Sequence, residues 1–244
     1  MTRIITEKYN CANCGNLLFR KKVTSVSTFF NSGDVFKCHG TFTGLFPKLY
    51  CCEECGYIGE DLSKKPDSKI KAIVDSEDYK LFMQIGDRYN PYFQHFLLAY
   101  ILANLGKYKE AIPHYICSIN GENVLFLFES QIYDLLLKTD IDLDLIADNT
   151  KSPSRLFVNQ LIADCVEHID YQNEDSFHLF YESIDALRMV RKFDEAIKLI
   201  DLALTKCFNE KQKDLLKEEQ ERCSAQDYFT VFPIKDEDEF PEDY

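Results

Sequence analysis

Cys11-Ala-Asn-Cys14-Gly15 and Cys52-Glu-Glu-Cys55-Gly56-Tyr57, read together, decide how this chain is built. In each, two cysteines flank two residues and a glycine follows. A turn of that shape points both sulfurs the same way, and the glycine lets backbone N–H groups approach them. Two such turns supply four soft ligands, enough to close a tetrahedral shell. The spacing predicts a four-cysteine metal site on Cys11, Cys14, Cys52 and Cys55, with structural zinc as the expected ion. Cys52 fits the turn and its neighbour Cys51 does not. Cys38-His39 offers either a substitute ligand pair or a buried thiol beside a surface imidazole. The second reading is preferred, because four ligands are already provided.

The flanking stretches are β-prone. Arg3–Tyr9 leads into the first turn, and Leu17–Phe30 is rich in β-branched and aromatic residues. Asn31-Ser-Gly-Asp34 is a turn signal, and Val35–Phe42 and Leu45–Cys51 read as further short strands. Residues 1–66 are thus expected to form a small antiparallel sheet of zinc-ribbon type. Such a module has too little core to fold unaided, which is the reason for a metal staple.

Lys64-Lys-Pro-Asp-Ser68 marks the expected boundary, after which helical periodicity takes over. A helix starts at Asp75-Ser-Glu-Asp78. Asn90-Pro91 opens the next, which runs to about Leu105 and stops at Gly106. Another starts near Tyr108, with Pro113 close to its start, where a missing N–H costs least. Further helices are expected at 122–138, 155–169, 175–190, 193–207 and 209–225. Between the first two of these, either a short strand or a helical turn fits residues 139–154. The fold class is α+β, mostly α. The helices, with their own core, fill 67–230, and 231–244 is an acidic tail expected to be disordered.

Composition narrows the function. The 244 residues carry a net charge of −13, which argues against broad nucleic-acid or membrane-surface binding by the whole chain. The charge is uneven: residues 1–66 hold nine Lys/Arg against six Asp/Glu, and the remainder 19 against 35. The N-terminus shows no apolar signal segment, and Phe96–Leu105 is too short to span a bilayer. The CxxC grouping points to a reducing cytoplasm rather than to disulfides. Cys117, Cys165, Cys207 and Cys223 fall in helical patterns and read as small buried hydrophobes. No Walker loop, GxGxxG, GxSxG or HExxH is present. Dithiol redox catalysis needs a CxxC at a helix N-terminus, whereas both pairs here sit among short strands. The expectation is a protein that is not an enzyme.

Ala99-Tyr-Ile-Leu-Ala-Asn-Leu-Gly-Lys-Tyr-Lys-Glu-Ala-Ile112 aligns with Ile184-Asp-Ala-Leu-Arg-Met-Val-Arg-Lys-Phe-Asp-Glu-Ala-Ile197. The pattern resembles the tetratricopeptide repeat, with Ala111 and Ala196 as the small residues at helix crossings and Tyr108 and Phe193 as aromatics opening the second helix. Arg191 stands where the first copy has Gly106, and a generic antiparallel helical domain is the alternative.

Cys55-Gly-Tyr-Ile58 resembles a rubredoxin knuckle, which makes iron the alternative metal. The order and surroundings of the two knuckles differ from rubredoxin, so zinc is favoured. The combination of Cys11-Ala-Asn-Cys14 with Phe46-Pro-Lys-Leu-Tyr-Cys-Cys-Glu-Glu-Cys-Gly-Tyr57 and Leu105-Gly-Lys-Tyr-Lys-Glu-Ala-Ile112 resembles a family of uncharacterised bacterial proteins. In that family a split zinc module precedes tetratricopeptide-like helices. The resemblance implies a bacterial cytoplasmic setting and supplies no activity.

The leading expectation is an adaptor whose helical groove takes a protein or peptide. Candidate contacts are Phe93, Phe96 and Tyr100 in one repeat, and His178, Tyr181, Asp185 and Arg188 in the other. That set suits a mixed aromatic and polar ligand rather than a bare carboxylate. The runner-up is nucleic-acid binding by the ribbon, with Arg20, Lys21 and Lys22 meeting phosphate beside Phe19.

Overall fold

Two short antiparallel ladders carry the cysteine turns, and helices follow. The computed structural model describes residues 3–25, 49–119, 129–136, 139, 141, 144–145 and 153–228. Strand β1 (Arg3–Asn10) pairs with β2 (Leu17–Ser25), and β3 (Tyr50–Cys51) with β4 (Ile58–Gly59). The first register sets Lys8 opposite Phe19 and Asn10 opposite Leu17. The helices are α1 (Ser68–Val74), α2 (Glu77–Ile85), α3 (Pro91–Asn104), α4 (Tyr108–Ile119), α5 (Glu129–Leu136), α6 (Pro153–Val166), α7 (Phe177–Met189), α8 (Phe193–Leu204) and α9 (Glu210–Ser224). The fold is α+β and mostly α, as expected. The turn at 31–34, the strand expected at 35–42, Cys38, His39 and the tail 231–244 lie outside the described residues.

Local chemistry accounts for the helix starts. Ser76 Oγ accepts from Tyr79 N at 3.3 Å, and Asn90 Oδ1 from Tyr92 N at 2.9 Å with Pro91 following. Asn209 and Gln212 form a reciprocal capping box on α9. Helix α1 was not foreseen. Lys64-Lys-Pro-Asp-Ser68 marks the expected boundary, and the first helix was expected only from Asp75, yet Asp67 accepts from Ile70 N at 2.8 Å and caps seven helical residues. Pro113 sits deeper than expected, as the sixth residue of α4, where it has no N–H to give the Lys109 carbonyl.

The chain divides into two compact units, Met1–Ile169 and Asp170–Tyr244. The change from strand to helix near residue 66 therefore falls inside a unit. In the first unit α3 packs on α4, on α1 and on β4, and α6 packs on α4 and α5. Its centre is aromatic: Phe82 meets Phe96 edge-on at 5.0 Å, and Phe93 stacks on Phe96 at 5.9 Å. In the second unit α8 packs on both α7 and α9, and Phe180 lies 5.0 Å from Tyr171.

The two matched segments share one turn geometry. After α3, Gly106 takes φ +76° and Lys107 N donates to Leu102 O at 2.9 Å. After α7, Arg191 takes φ +61° and Lys192 N donates to Leu187 O at 2.9 Å. Both are left-handed helix closures, which glycine adopts freely and arginine only at a cost of about 1–2 kcal/mol. Arg191 is compensated by its neighbours: its guanidinium lies 4.1 Å from the Tyr228 ring centroid and donates to the Tyr228 hydroxyl. Ala111 and Ala196 are both fully buried. Ala111→Leu and Ala196→Leu are each expected to overpack a helix contact and to cost about 1–3 kcal/mol. Denaturant unfolding of the two variants checks this, and an unchanged midpoint in both would refute the close crossing.

Glu182 on α7 gives a further expectation. Burial pushes its carboxyl up to about 7. The charged form is therefore disfavoured in the fold, so the protein gains stability as pH falls through about 7 towards the ordinary glutamate range, and gains no more below it. Glu182→Gln should stabilise at pH 8 by about 1–2 kcal/mol, allowing for partial exposure, and be neutral near pH 4. Unfolding of both proteins across that range reads the difference.

Candidate metal centre

Each knuckle is built by the same backbone bonds. Gly15 N donates to Cys11 O at 2.7 Å, and Gly56 N to Cys52 O at 2.9 Å. Each turn is closed from the other side: Cys11 N donates to Asn16 O at 2.8 Å, and Cys52 N to Tyr57 O at 2.9 Å. Both glycines lie at positive φ, +78° and +71°, where a side chain would be strained. At Gly56 space adds a second reason, since a Cβ there would come within 2.9 Å of Met83.

The four sulfurs converge. Cys11 Sγ lies 3.8 Å from Cys55 Sγ, Cys14 Sγ lies 3.6 Å from Cys52 Sγ, and all four fall within 4.8 Å of one another. A disulfide would need about 2.05 Å. Four sulfurs held about 2.3 Å from one ion in a tetrahedron sit about 3.8 Å apart, so the spacing fits a metal ion. Cys11 and Cys52 are buried, Cys55 is half-buried and Cys14 is exposed. Around them pack Leu18, Tyr57 and Leu62.

Electrostatics explains why such a cluster suits a cation. Burial pushes the thiols of Cys52 and Cys55 up. For Cys14 burial acts in the same sense, but hydrogen bonds from the Asn16 backbone and the other cysteines outweigh it and bring the thiol down. A coordinated divalent ion reverses the burial cost, because it deprotonates its thiol ligands. Cys51 stays apart. Its Sγ lies 3.7 Å from the carbonyls of Cys52 and Gly56, and burial pushes it up to about 12. The cluster includes Cys52 and leaves out Cys51.

The second knuckle is also gripped from the helices, which the sequence did not reveal. Tyr79 Oη of α2 donates to Gly56 O at 2.9 Å, fully buried. Arg88, between α2 and α3, donates to the Glu53 carbonyl. On the first knuckle, Ala12 N donates to Leu62 O at 2.9 Å. No match to this chain was found among protein-family models, curated proteins or solved structures. The reading of the site therefore rests on its geometry.

The other candidate residues fare differently. Phe93 and Phe96 are fully buried in the aromatic core, and Tyr100 is half-buried against Phe82 at 4.9 Å. Arg188 is 1% exposed. Its Nε donates to Glu219 Oε2 at 2.8 Å, Nη2 to Asp185 Oδ1 at 2.6 Å and Nη1 to Asp227 O at 3.0 Å. Phe93, Phe96 and Arg188 are thus interior groups, not the groove contacts expected. The shared face of Tyr181, Asp185 and Arg188 turns towards α9, which supplies Glu219. His178 is exposed, and Tyr181 is half-buried and stacked on Phe177 at 5.6 Å. Arg20, Lys21 and Lys22 lie in β2 opposite Glu7, Thr6 and Ile5, with their side chains outside the description. Among the described residues no helix is long and apolar enough to cross a membrane.

Proposed function

We propose that the chain is a non-enzymatic zinc protein that serves as an interaction adaptor, with the metal holding the N-terminal turns against the helices. The observation that supports this reading is the closed set of four sulfurs at tetrahedral spacing. When all four bind, no coordination position is left for water or substrate, which is the arrangement of a structural zinc rather than a catalytic one. A reducing cytoplasm suits the thiolate ligands. The helix pairs α3–α4 and α7–α8, similar to tetratricopeptide units, would supply surface for a protein or peptide. Of the candidate contacts, His178, Tyr181, Asp185 and Tyr100 keep exposed or half-exposed side chains.

The experiment has two arms. Elemental analysis of the purified protein should find one zinc per chain, lost in Cys14→Ser. Affinity capture from the native cell, with and without nuclease, should recover a protein that survives nuclease. A His178→Ala, Tyr181→Ala variant should lose that protein while keeping helicity and zinc. Capture unchanged by the variant overturns the adaptor reading, and a metal-free wild type overturns the zinc reading.

A further inference from the structure

Among the described residues, the turn end of the β1–β2 hairpin exposes side chains on one face. Leu17 is 50% exposed and Phe19 61%. Strand alternation separates them from Leu18, which is buried with Cys11, Cys52, Tyr57 and Leu62. Across the ladder the pairs are Lys8 with Phe19 and Asn10 with Leu17, and Lys8 and Asn10 are exposed as well. Lys8 Nζ lies 5.5 Å from the Phe19 ring centroid. The face therefore presents an aromatic ring, an aliphatic side chain, an amide and a cation side by side.

Single exposed apolar residues are ordinary on a protein surface. The hairpin that carries this face is set apart by its charge. Residues 3–25 carry Arg3, Lys8, Arg20, Lys21 and Lys22 against Glu7, an excess that four thiolates around one divalent ion reduce by about two, in a chain whose net charge is −13. A positive hairpin on an acidic protein selects a polyanion for that one surface.

We propose that this face binds single-stranded nucleic acid. Phe19 stacks on a base, Leu17 extends the apolar contact, the Asn10 amide bonds a base edge and Lys8 pairs with phosphate. An exposed ring beside cations is the arrangement that tracks a single strand, because every base has a face to stack on and every linkage carries a charge. A duplex hides its base faces and would use the cations alone. The surface differs from the run Arg20-Lys-Lys22 read from the sequence. Its centre is Phe19 with Lys8, and of the run only Lys21 stands two residues from Phe19, at the spacing that shares a strand face. The inference rests on the hairpin and not on the helical adaptor, so either can fail alone.

The test uses the full-length protein with a short fluorescent oligothymidylate, the corresponding duplex and vesicles of anionic phospholipid. Anisotropy is read at low and at physiological salt. The single strand should bind more tightly than the duplex, and vesicles should not compete. Phe19→Ala should weaken binding about tenfold, and Phe19→Tyr, which keeps a stacking ring, should retain it. Lys8→Glu should weaken binding and flatten its salt dependence, because fewer counterions are released. Circular dichroism and metal content identify any variant that fails to fold, and Phe19→Tyr and Lys8→Glu decide the matter if Phe19→Ala does. No binding of the oligonucleotide, equal binding of the duplex, capture by vesicles instead, or affinity unchanged in Phe19→Ala overturns the proposal.

Discussion

Replacing Cys55 with serine is expected to loosen the first compact unit well beyond the cysteine turns. The sulfur supplies one corner of the cluster, and its loss opens the second knuckle. That knuckle is not a detached module: its Gly56 carbonyl receives the buried Tyr79 hydroxyl, and its Glu53 carbonyl receives Arg88. Tyr79 lies in α2, whose Phe82 meets Phe96 of α3 edge-on at 5.0 Å. Structural zinc contributes about 10–16 kcal/mol in small zinc-binding peptides, while whole domains are stable by about 5–15 kcal/mol. A loss of that size exceeds what the surrounding contacts can absorb. The expected result is loss of metal together with loss of amide-exchange protection in α2 and α3. Helices α7–α9 lie in the other compact unit and should keep their protection. Wild-type protection of α2 and α3 in the metal-free variant would show that the helices stand on their own core, as the sequence led one to expect.

The contrast follows from what a sequence can carry. A CxxCG turn is written within five residues, so its geometry and the clustering of the Cys52 sulfur rather than that of Cys51 were readable directly. Helix starts are equally local, and Ser76, Asn90 and Asn209 cap where their types suggest. The bonds from Tyr79 to Gly56 and from Arg88 to Glu53 span 23 and 35 positions, and no periodicity announces them. Helix α1 was hidden for a different reason. Lys64-Lys-Pro-Asp-Ser68 has the composition of a linker, and only the Asp67 cap marks the seven residues that follow. At Arg191 the alignment with Gly106 held the answer, since both positions close a helix in left-handed geometry. The residue type gave no hint, because the compensation comes from Tyr228, 37 positions on.

Arg188→Met is expected to destabilise the second unit by about 3–5 kcal/mol, because it strips a partner from a buried carboxylate. Glu219 is fully buried and receives Arg188 Nε at 2.8 Å and Arg222 Nη1 at 2.7 Å. Arg188 in turn holds Asp185 on its own helix and the Asp227 carbonyl beyond α9. One side chain thus ties α7, α9 and the segment after it. Removing both ends of the pair is a different experiment from removing one. In Arg188→Met with Glu219→Leu the buried charge disappears along with its partner, and Asp185 and Arg222 retain access to water. The double variant should recover most of the loss, since apolar replacements of a buried pair are often neutral. Hydrogen exchange of α7 and α9 against denaturant reads the second unit by itself, which a single whole-chain midpoint does not. Equal destabilisation in single and double variants would mean that Arg188 acts through packing of its aliphatic stem and not through its charge. Either result bears on partner binding. An Arg188 variant that fails to bind would fail through folding, so His178 and Tyr181 are the positions at which a binding surface on α7 can be tested cleanly.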